Sequence, residues 1–369
     1  MKIPFINLKS QFQSIKREIN SALNRVFQNS SFILGQEVEL FEKEFAKYCG
    51  AKYCLGVNSG TSAVHLALLS LGIGPKDEVI TQPNTFFATA EAISYTGAKP
   101  VFVDIDPETF TIDADKIEKA ITPRARVILP VHLYGNAAPI EKILKIARKH
   151  NLTVIEDVCQ AHGVFYRNKR LGTFGRVGCF SFYPGKVLGA YGEGGAVITD
   201  DKKAYEKMKS LRDHGQLNKN EHLLIGYNYR MEGIQGAILK IKLKELDKWI
   251  SKRKKQAKLY NLLLKRTGVV VPSKISLNSS NFQYYVIRCK KRDHLKDYLQ
   301  KNGVSTLIHY PTPIHLQKAY KFLGYQKGDF PIAEGTCKEI LSLPMYPEIT
   351  KRQISYIVNL IKKFYGNQK

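Results

Sequence analysis

From residue 53 to residue 157 short apolar runs alternate with helical patterns, and this alternation most restricts what the chain can become. Runs at 53–57, 77–81, 100–104, 126–131 and 152–157 read as strands. Helical patterns at 63–71, 86–95, 113–121 and 139–150 separate them. Strand–helix alternation at this spacing requires right-handed βαβ units and a largely parallel sheet with helices on its faces. Upstream, Val38, Phe41, Phe45 and Tyr48 form a helical stripe that stops at Gly50. Between 178 and 199 two short β runs flank a glycine-rich turn. A second α/β section follows, with strands at 283–289 and 304–308 and helices at 293–301, near 333–341 and at 350–364. The predicted class is α/β: a large domain over 1–250 with a mostly parallel, mixed sheet, and a smaller C-terminal α/β domain over 251–369.

Composition matters chiefly through charge. Lys and Arg total 57 against 32 Asp and Glu, a net charge of +25 that raises the question of nucleic acid. Residues 240–266 alone carry eleven Lys or Arg against Glu245 and Asp247. Leu239, Leu243, Leu246, Ile250, Ala257, Tyr260 and Leu264 recur there at helical steps, so the stretch reads as one long amphipathic helix with a solvated basic face. No nucleic-acid module accompanies it, and no nucleic-acid partner is expected. A basic surface would still help attract an anionic substrate. No run reaches the apolar length of a membrane span, and the N-terminus lacks the apolar core of a signal peptide. A cytoplasmic protein is expected. The six cysteines form no C-x-x-C pair and the histidines show no ligand spacing, so no metal site is expected.

Three segments could carry chemistry, each near the end of a predicted strand, where open α/β sheets bind ligands. Ser59-Gly60-Thr61-Ser62 opens a helix, and its N–H groups and hydroxyls suit a phosphate. Alone, such a turn is more often a plain Ser/Thr cap. Glu156-Asp157-Val158-Cys159-Gln160-Ala161-His162-Gly163 places a carboxylate at a strand end. That carboxylate is either structural or a partner for a pyridine nitrogen. Phe180-Ser181-Phe182-Tyr183-Pro184-Gly185-Lys186 sets a lysine between Pro-Gly and a glycine-rich turn. Desolvation there would lower its pKa and make it a nucleophile.

In this order and spacing the three segments resemble the DegT/DnrJ/EryC1/StrS sugar aminotransferases, within the fold-type I pyridoxal-phosphate enzymes. The resemblance runs from Phe5-Ile6-Asn7-Leu8 to Ser342-Leu343-Pro344-Met345-Tyr346-Pro347. It includes Asn84-Thr85-Phe86, Pro130-Val131-His132-Leu133-Tyr134-Gly135, Arg212-Asp213-His214-Gly215, Gly226-Tyr227-Asn228-Tyr229-Arg230-Met231 and His309-Tyr310-Pro311. It implies pyridoxal 5'-phosphate as cofactor and Lys186 as the catalytic residue, holding the cofactor as a Schiff base and shuttling a proton. Asp157 is implied to pair with the pyridinium nitrogen, Gln160 to bond the ring oxygen and Phe86 to stack on the ring. Gly60, Thr61 and Ser181 are implied to hold the phosphate, with Asn228 reaching in from a second subunit of an obligatory homodimer. Arg230 is assigned to the carboxylate of the amino donor, L-glutamate.

His309, Tyr310 and His315 are assigned to the sugar-nucleotide side of the pocket. The run 308–320 looks like the branch acting on dTDP-linked 3-keto-6-deoxyhexoses, with a 4-keto sugar or a UDP carrier as alternatives. Val158, Cys159 and Val187 depart from the family's commonest residues without removing a catalytic group. Two other readings share the fold. Sugar dehydratases carry His where Lys186 stands, and a non-catalytic sensor has little need for Lys186, Asp157 and Gln160 together.

Overall fold

A computed structural model describes residues 1–272, 276 and 279–366. The alternating region folds as β1 (Tyr53–Val57), β2 (Glu78–Thr81), β3 (Lys99–Phe102), β4 (Ala125–Ile128) and β5 (Thr153–Asp157). With β6 (Val177–Ser181) and β7 (Gly195–Thr199) they make a seven-stranded sheet in the order β1-β7-β6-β5-β4-β2-β3. Strands β6, β5, β4, β2 and β3 pair in parallel. β7 runs antiparallel to both β1 and β6.

The strands are apolar almost throughout because helices cover both faces. Successive residues of β7 show the two sides. Ala196 and Ile198 pack with Phe41 and Phe45 of the helix Gln36–Cys49, whereas Val197 packs with Val64, Leu68 and Met208. The helix Gly60–Ser70 lies deepest. Apart from Thr61 it is buried from Gly60 to Leu68, which explains a composition apolar nearly all round.

A second, antiparallel sheet joins β8 (Val269–Val270), β9 (Tyr285–Cys289) and β10 (Ile340–Leu343). Its core holds Tyr260, Tyr285, Leu295, Leu299, Ile357 and Ile361, and the N-terminal Ile3 packs into it. The intervening residues Ile314, Tyr320, Phe330 and Ala333 pack instead on Ala90 and Phe102, beside the first sheet.

Three expectations change. The basic stretch is two helices, Gly233–Leu243 and Leu246–Leu263, broken at Lys244 and Glu245. Two of its cations leave the solvated face: Lys242 and Arg253 are buried. Lys242 donates to the Gly189 carbonyl at 2.6 Å, and Arg253 donates to the Phe282 and Met345 carbonyls. Residues 304–308 form no regular strand. They make isolated bridges, Val304 to Ile3 and Leu307 to Ser342. The helix placed near 333–341 is Pro331–Glu339, and the chain turns extended at Ile340 because β10 supplies the backbone partner that β9 needs.

One buried carboxylate holds the turn between β5 and β6. Glu156 accepts from the backbone N–H groups of Gly172, Phe174 and Gly175 at 2.7–2.9 Å and from His132 Nε2 at 3.1 Å. Because His132 Nδ1 already accepts from Ala138 N, the proton sits on Nε2. Glu156→Ala leaves these four donors, three backbone N–H groups and His132 Nε2, without their acceptor, a loss on the order of 3–5 kcal/mol. The urea midpoint of the variant should fall accordingly. An unchanged midpoint would show that this carboxylate does not hold the turn.

Candidate active site

The C-terminal ends of β5 and β6 and the N-terminus of the helix Gly60–Ser70 converge on one cavity of about 550 Å³. Its lining includes Gly60, Thr61, Phe86, Asp157, Gln160, Ser181, Lys186, His309 and Tyr310. Residues more than 200 positions apart therefore meet at one place.

At the phosphate-like end, the Ser59 hydroxyl caps the helix by accepting from Ser62 N at 3.0 Å. That leaves the N–H groups of Gly60 and Thr61 without an intrahelical partner, at the positive end of the helix dipole. Gly60 is required by close approach. A Cβ there would stand 2.6 Å from Ser181 Cβ and 3.0 Å from Cys159 Sγ.

Asp157 is buried at the cavity wall. Its Oδ2 accepts from Thr89 Oγ1 at 3.0 Å and its Oδ1 from Cys159 N at 3.1 Å. Thr89 is in turn bonded to Thr85 Oγ1 at 3.1 Å. Both carboxylate oxygens keep lone pairs for a further donor. Gln160 lies between two tyrosines. Its Oε1 accepts from Tyr134 N at 2.8 Å and its Nε2 donates to the Tyr310 hydroxyl at 3.2 Å, leaving one amide proton free.

Lys186 enters from the loop after β6. Burial lowers its pKa from the ordinary lysine value, against the opposing pull of Cys159, Asp157 and Tyr183. Burial also pushes the Cys159 thiol well up, which disfavours its reactive thiolate form.

The second section closes the cavity's far side. His309 stacks on Tyr284 with centroids 3.8 Å apart and planes 11° apart, and its Nδ1 lies 2.9 Å from Ser342 Oγ. Burial, then the Lys186 charge, lowers its pKa to about 3, so the ring is neutral at physiological pH. The Tyr134 hydroxyl donates to the His309 carbonyl, and Tyr310 packs 5.6 Å from the Phe86 ring.

Three expected residues lie elsewhere. His315 is buried behind the site, with Nε2 on Glu334 at 3.1 Å and its ring 4.7 Å from Phe330. Its assignment to the sugar pocket is withdrawn, since its imidazole belongs to a packed aromatic cluster. Arg230 pairs with Asp213 at 2.6 Å outside the cavity. Asn228 is exposed, and its carbonyl accepts from Asn58 Nδ2. Thr89 and Tyr284 line the cavity without having been expected there, and Tyr183 and Glu193, which lie in or beside the lysine segment, line it without an assigned role.

This donor set fits pyridoxal phosphate. The lining brings together helix N–H groups and hydroxyls, a buried carboxylate with free lone pairs, an amine of lowered pKa and the apolar face of Phe86. Fold and site together define a pyridoxal-phosphate-dependent aminotransferase of fold type I. The chain belongs to the DegT/DnrJ/EryC1/StrS aminotransferase family, which it matches over residues 13–362.

Among its relatives, a protein named "Pleiotropic regulatory protein" from Geobacillus stearothermophilus is 45% identical and is covered over 99% of each chain. The dTDP-3-amino-3,6-dideoxy-alpha-D-galactopyranose transaminase of Aneurinibacillus thermoaerophilus is 42% identical over 98% of this chain and 99% of its own. The UDP-2-acetamido-2-deoxy-3-oxo-D-glucuronate aminotransferase of Pseudomonas aeruginosa is 39% identical over 96% of this chain and 98% of its own. The crystal structure of Streptomyces venezuelae DesV in complex with a ketimine intermediate superimposes with a TM-score of 0.96 at 40% identity. It covers 99% of this chain and 98% of that one.

A lowered pKa means that Lys186 stays a neutral amine at pH values where exposed lysines are protonated. In the cofactor-free protein, its labelling by an amine-selective reagent should rise at lower pH than labelling of surface lysines. Mass spectrometry of the peptides reads this directly, and a profile matching the exposed lysines would contradict the burial argument.

Proposed function

We propose that the protein transfers an amino group from L-glutamate to a nucleotide-linked keto sugar, with a dTDP-linked 3-keto-6-deoxyhexose preferred. The observation that carries this reading is the single cavity joining Lys186, Asp157 and the N-terminus of the helix Gly60–Ser70. When bound, pyridoxal phosphate supplies a conjugated ring that accepts the electron pair of the carbon losing its proton. Lys186 would hold the cofactor through Nζ and, when free, would take up and return a proton there as general base and acid. Asp157 balances positive charge on the ring nitrogen, and Thr89 orients its carboxylate. Gly60, Thr61 and Ser181 would bind the phosphate, Phe86 would cover the ring and exclude water, and Gln160 would offer its free amide proton to the ring oxygen. His309 and Tyr310 face the sugar.

The sugar preference is supported by the transaminase of Aneurinibacillus thermoaerophilus, whose name specifies a dTDP-linked 3-amino sugar. The Pseudomonas aeruginosa relative keeps a UDP carrier as the competing substrate class. A regulatory role is the second reading, favoured by the name of the Geobacillus stearothermophilus relative. A sensor needs no lysine of lowered pKa sharing a cavity with a buried carboxylate.

Assembly follows the same reasoning. Ile225 is 95% exposed and stands between exposed Leu224 and the segment carrying Asn228 and Arg230. An apolar run left in water next to two implied site residues suits the face of a second copy. We place Asn228 at the partner's phosphate site and Arg230 near the donor carboxylate. The described residues contain no helix long and apolar enough to cross a membrane. All six cysteines are free, consistent with the reducing cytoplasm.

Steady-state assays with glutamate should give a higher kcat/KM for a dTDP-3-keto-6-deoxyhexose than for its 4-keto isomer or a UDP counterpart. Lys186→Ala should lower turnover by on the order of 10³-fold or more. A preference for the 4-keto or UDP substrate would overturn the sugar assignment alone, whereas wild-type turnover by the lysine variant would overturn the chemistry.

Mixing Lys186→Ala with Asn228→Ala should restore partial activity, because a heterodimer holds one site with both native residues. No recovery after demonstrated subunit exchange would rule out a shared site.

A further inference from the structure

A buried glutamine must place both an acceptor and its donors, so the partners it selects are informative. Gln283, only 2% exposed, lies just ahead of β9. Its Oε1 accepts from Val187 N at 2.8 Å, and its Nε2 donates to the Gly185 carbonyl at 2.9 Å. These two peptide groups flank Lys186. The lysine's own N–H donates to the Tyr183 carbonyl at 2.9 Å.

The loop needs such a grip. Residues 184–188 belong to no helix or strand, so no ladder of backbone bonds sets their course. The loop's neck is closed by Phe182 N to Gly194 O and Ala190 N to Phe182 O, both at 2.7 Å. Its tip is held by Gln283. The glutamine is itself fixed: its N–H donates to Asn281 Oδ1 at 2.9 Å, and buried Arg253 donates to the Phe282 carbonyl at 3.1 Å and to the Gln283 carbonyl at 3.4 Å. The next residue, Tyr284, lines the cavity. The clamp therefore ties the lysine loop to the second sheet, which carries no other expected role in cofactor attachment.

We propose that Gln283 is a positioning residue for Lys186, holding the backbone on both sides of the lysine so that Nζ enters the cavity in one orientation. The proposal rests on the reading of Lys186 as the residue that bonds the cofactor. Displacement of a reacting group by about 1 Å costs on the order of 10²-fold in rate, so the clamp should govern how fast Lys186 reacts more than whether the chain folds.

The test compares native protein with Gln283→Met, which keeps length and loses both bonds, and Gln283→Glu, which keeps the acceptor and loses the donor. Each cofactor-free protein is mixed with pyridoxal 5'-phosphate and quenched with borohydride at timed intervals. The modified Lys186 peptide is then quantified by mass spectrometry, with circular dichroism melting recorded alongside. Gln283→Met should melt near the native protein but attach the cofactor at least about tenfold more slowly. Gln283→Glu should fall between the two. Attachment by Gln283→Met at the native rate would overturn the clamp. If Gln283→Met does not fold, Gln283→Glu decides: slowed attachment supports the clamp and a native rate overturns it. Failure of the native protein to label at Lys186 would overturn the assignment of the lysine, a separate and recognisable result.

Discussion

The site depends on how closely the helix Gly60–Ser70 can approach the end of β6. Without a side chain at Gly60, the helix N-terminus settles against Ser181 and Cys159 at distances that even one methyl group would violate. That approach sets free helix N–H groups and the loop bearing Lys186 on one cavity. The burial of the helix on nearly every side keeps the apposition rigid, since it packs against β1, β6 and β7 and the neighbouring helices. The anion cradle is thereby held by the packed centre of the molecule, and the loop that carries the amine is anchored against it.

Around that contact, buried polar groups organise the irregular segments. Glu156 gathers the turn after β5, Gln283 grips the loop after β6, and Lys242 and Arg253 bond carbonyls nearby. Each group bonds backbone, so segments without regular structure acquire one course. Lys242 shows the cost: burial lowers its pKa to about 7, and its ammonium lies 4.0 Å from the Tyr191 ring. Two cations counted within a basic surface are in fact internal struts.

Much of this was legible in the residues. Strand–helix alternation predicted the parallel sheet because helices cover both of its faces, which makes the strands largely apolar and easy to see. The three chemical segments sit at strand ends, and all three reach the cavity. Periodicity failed where an interaction distant in sequence decided the outcome. The helix expected through 341 stops at Glu339 because β9 requires a partner. The basic stretch breaks at Lys244 and Glu245 although its apolar spacing continues across the break.

What the sequence by itself determined was the layered α/β class, the family and the chemical identity of the groups at the cavity, because these follow from local period and residue type. Only the tertiary structure decided which polar groups meet. It put Thr89 on Asp157 and Gln283 on the peptides around Lys186, and it turned His315 toward Glu334 and away from the cavity. Hydrogen bonds between residues distant in the chain leave no periodic trace. A buried glutamine or histidine reads the same in sequence whatever partner it finds, and the packing of two sheets and their helices selects that partner.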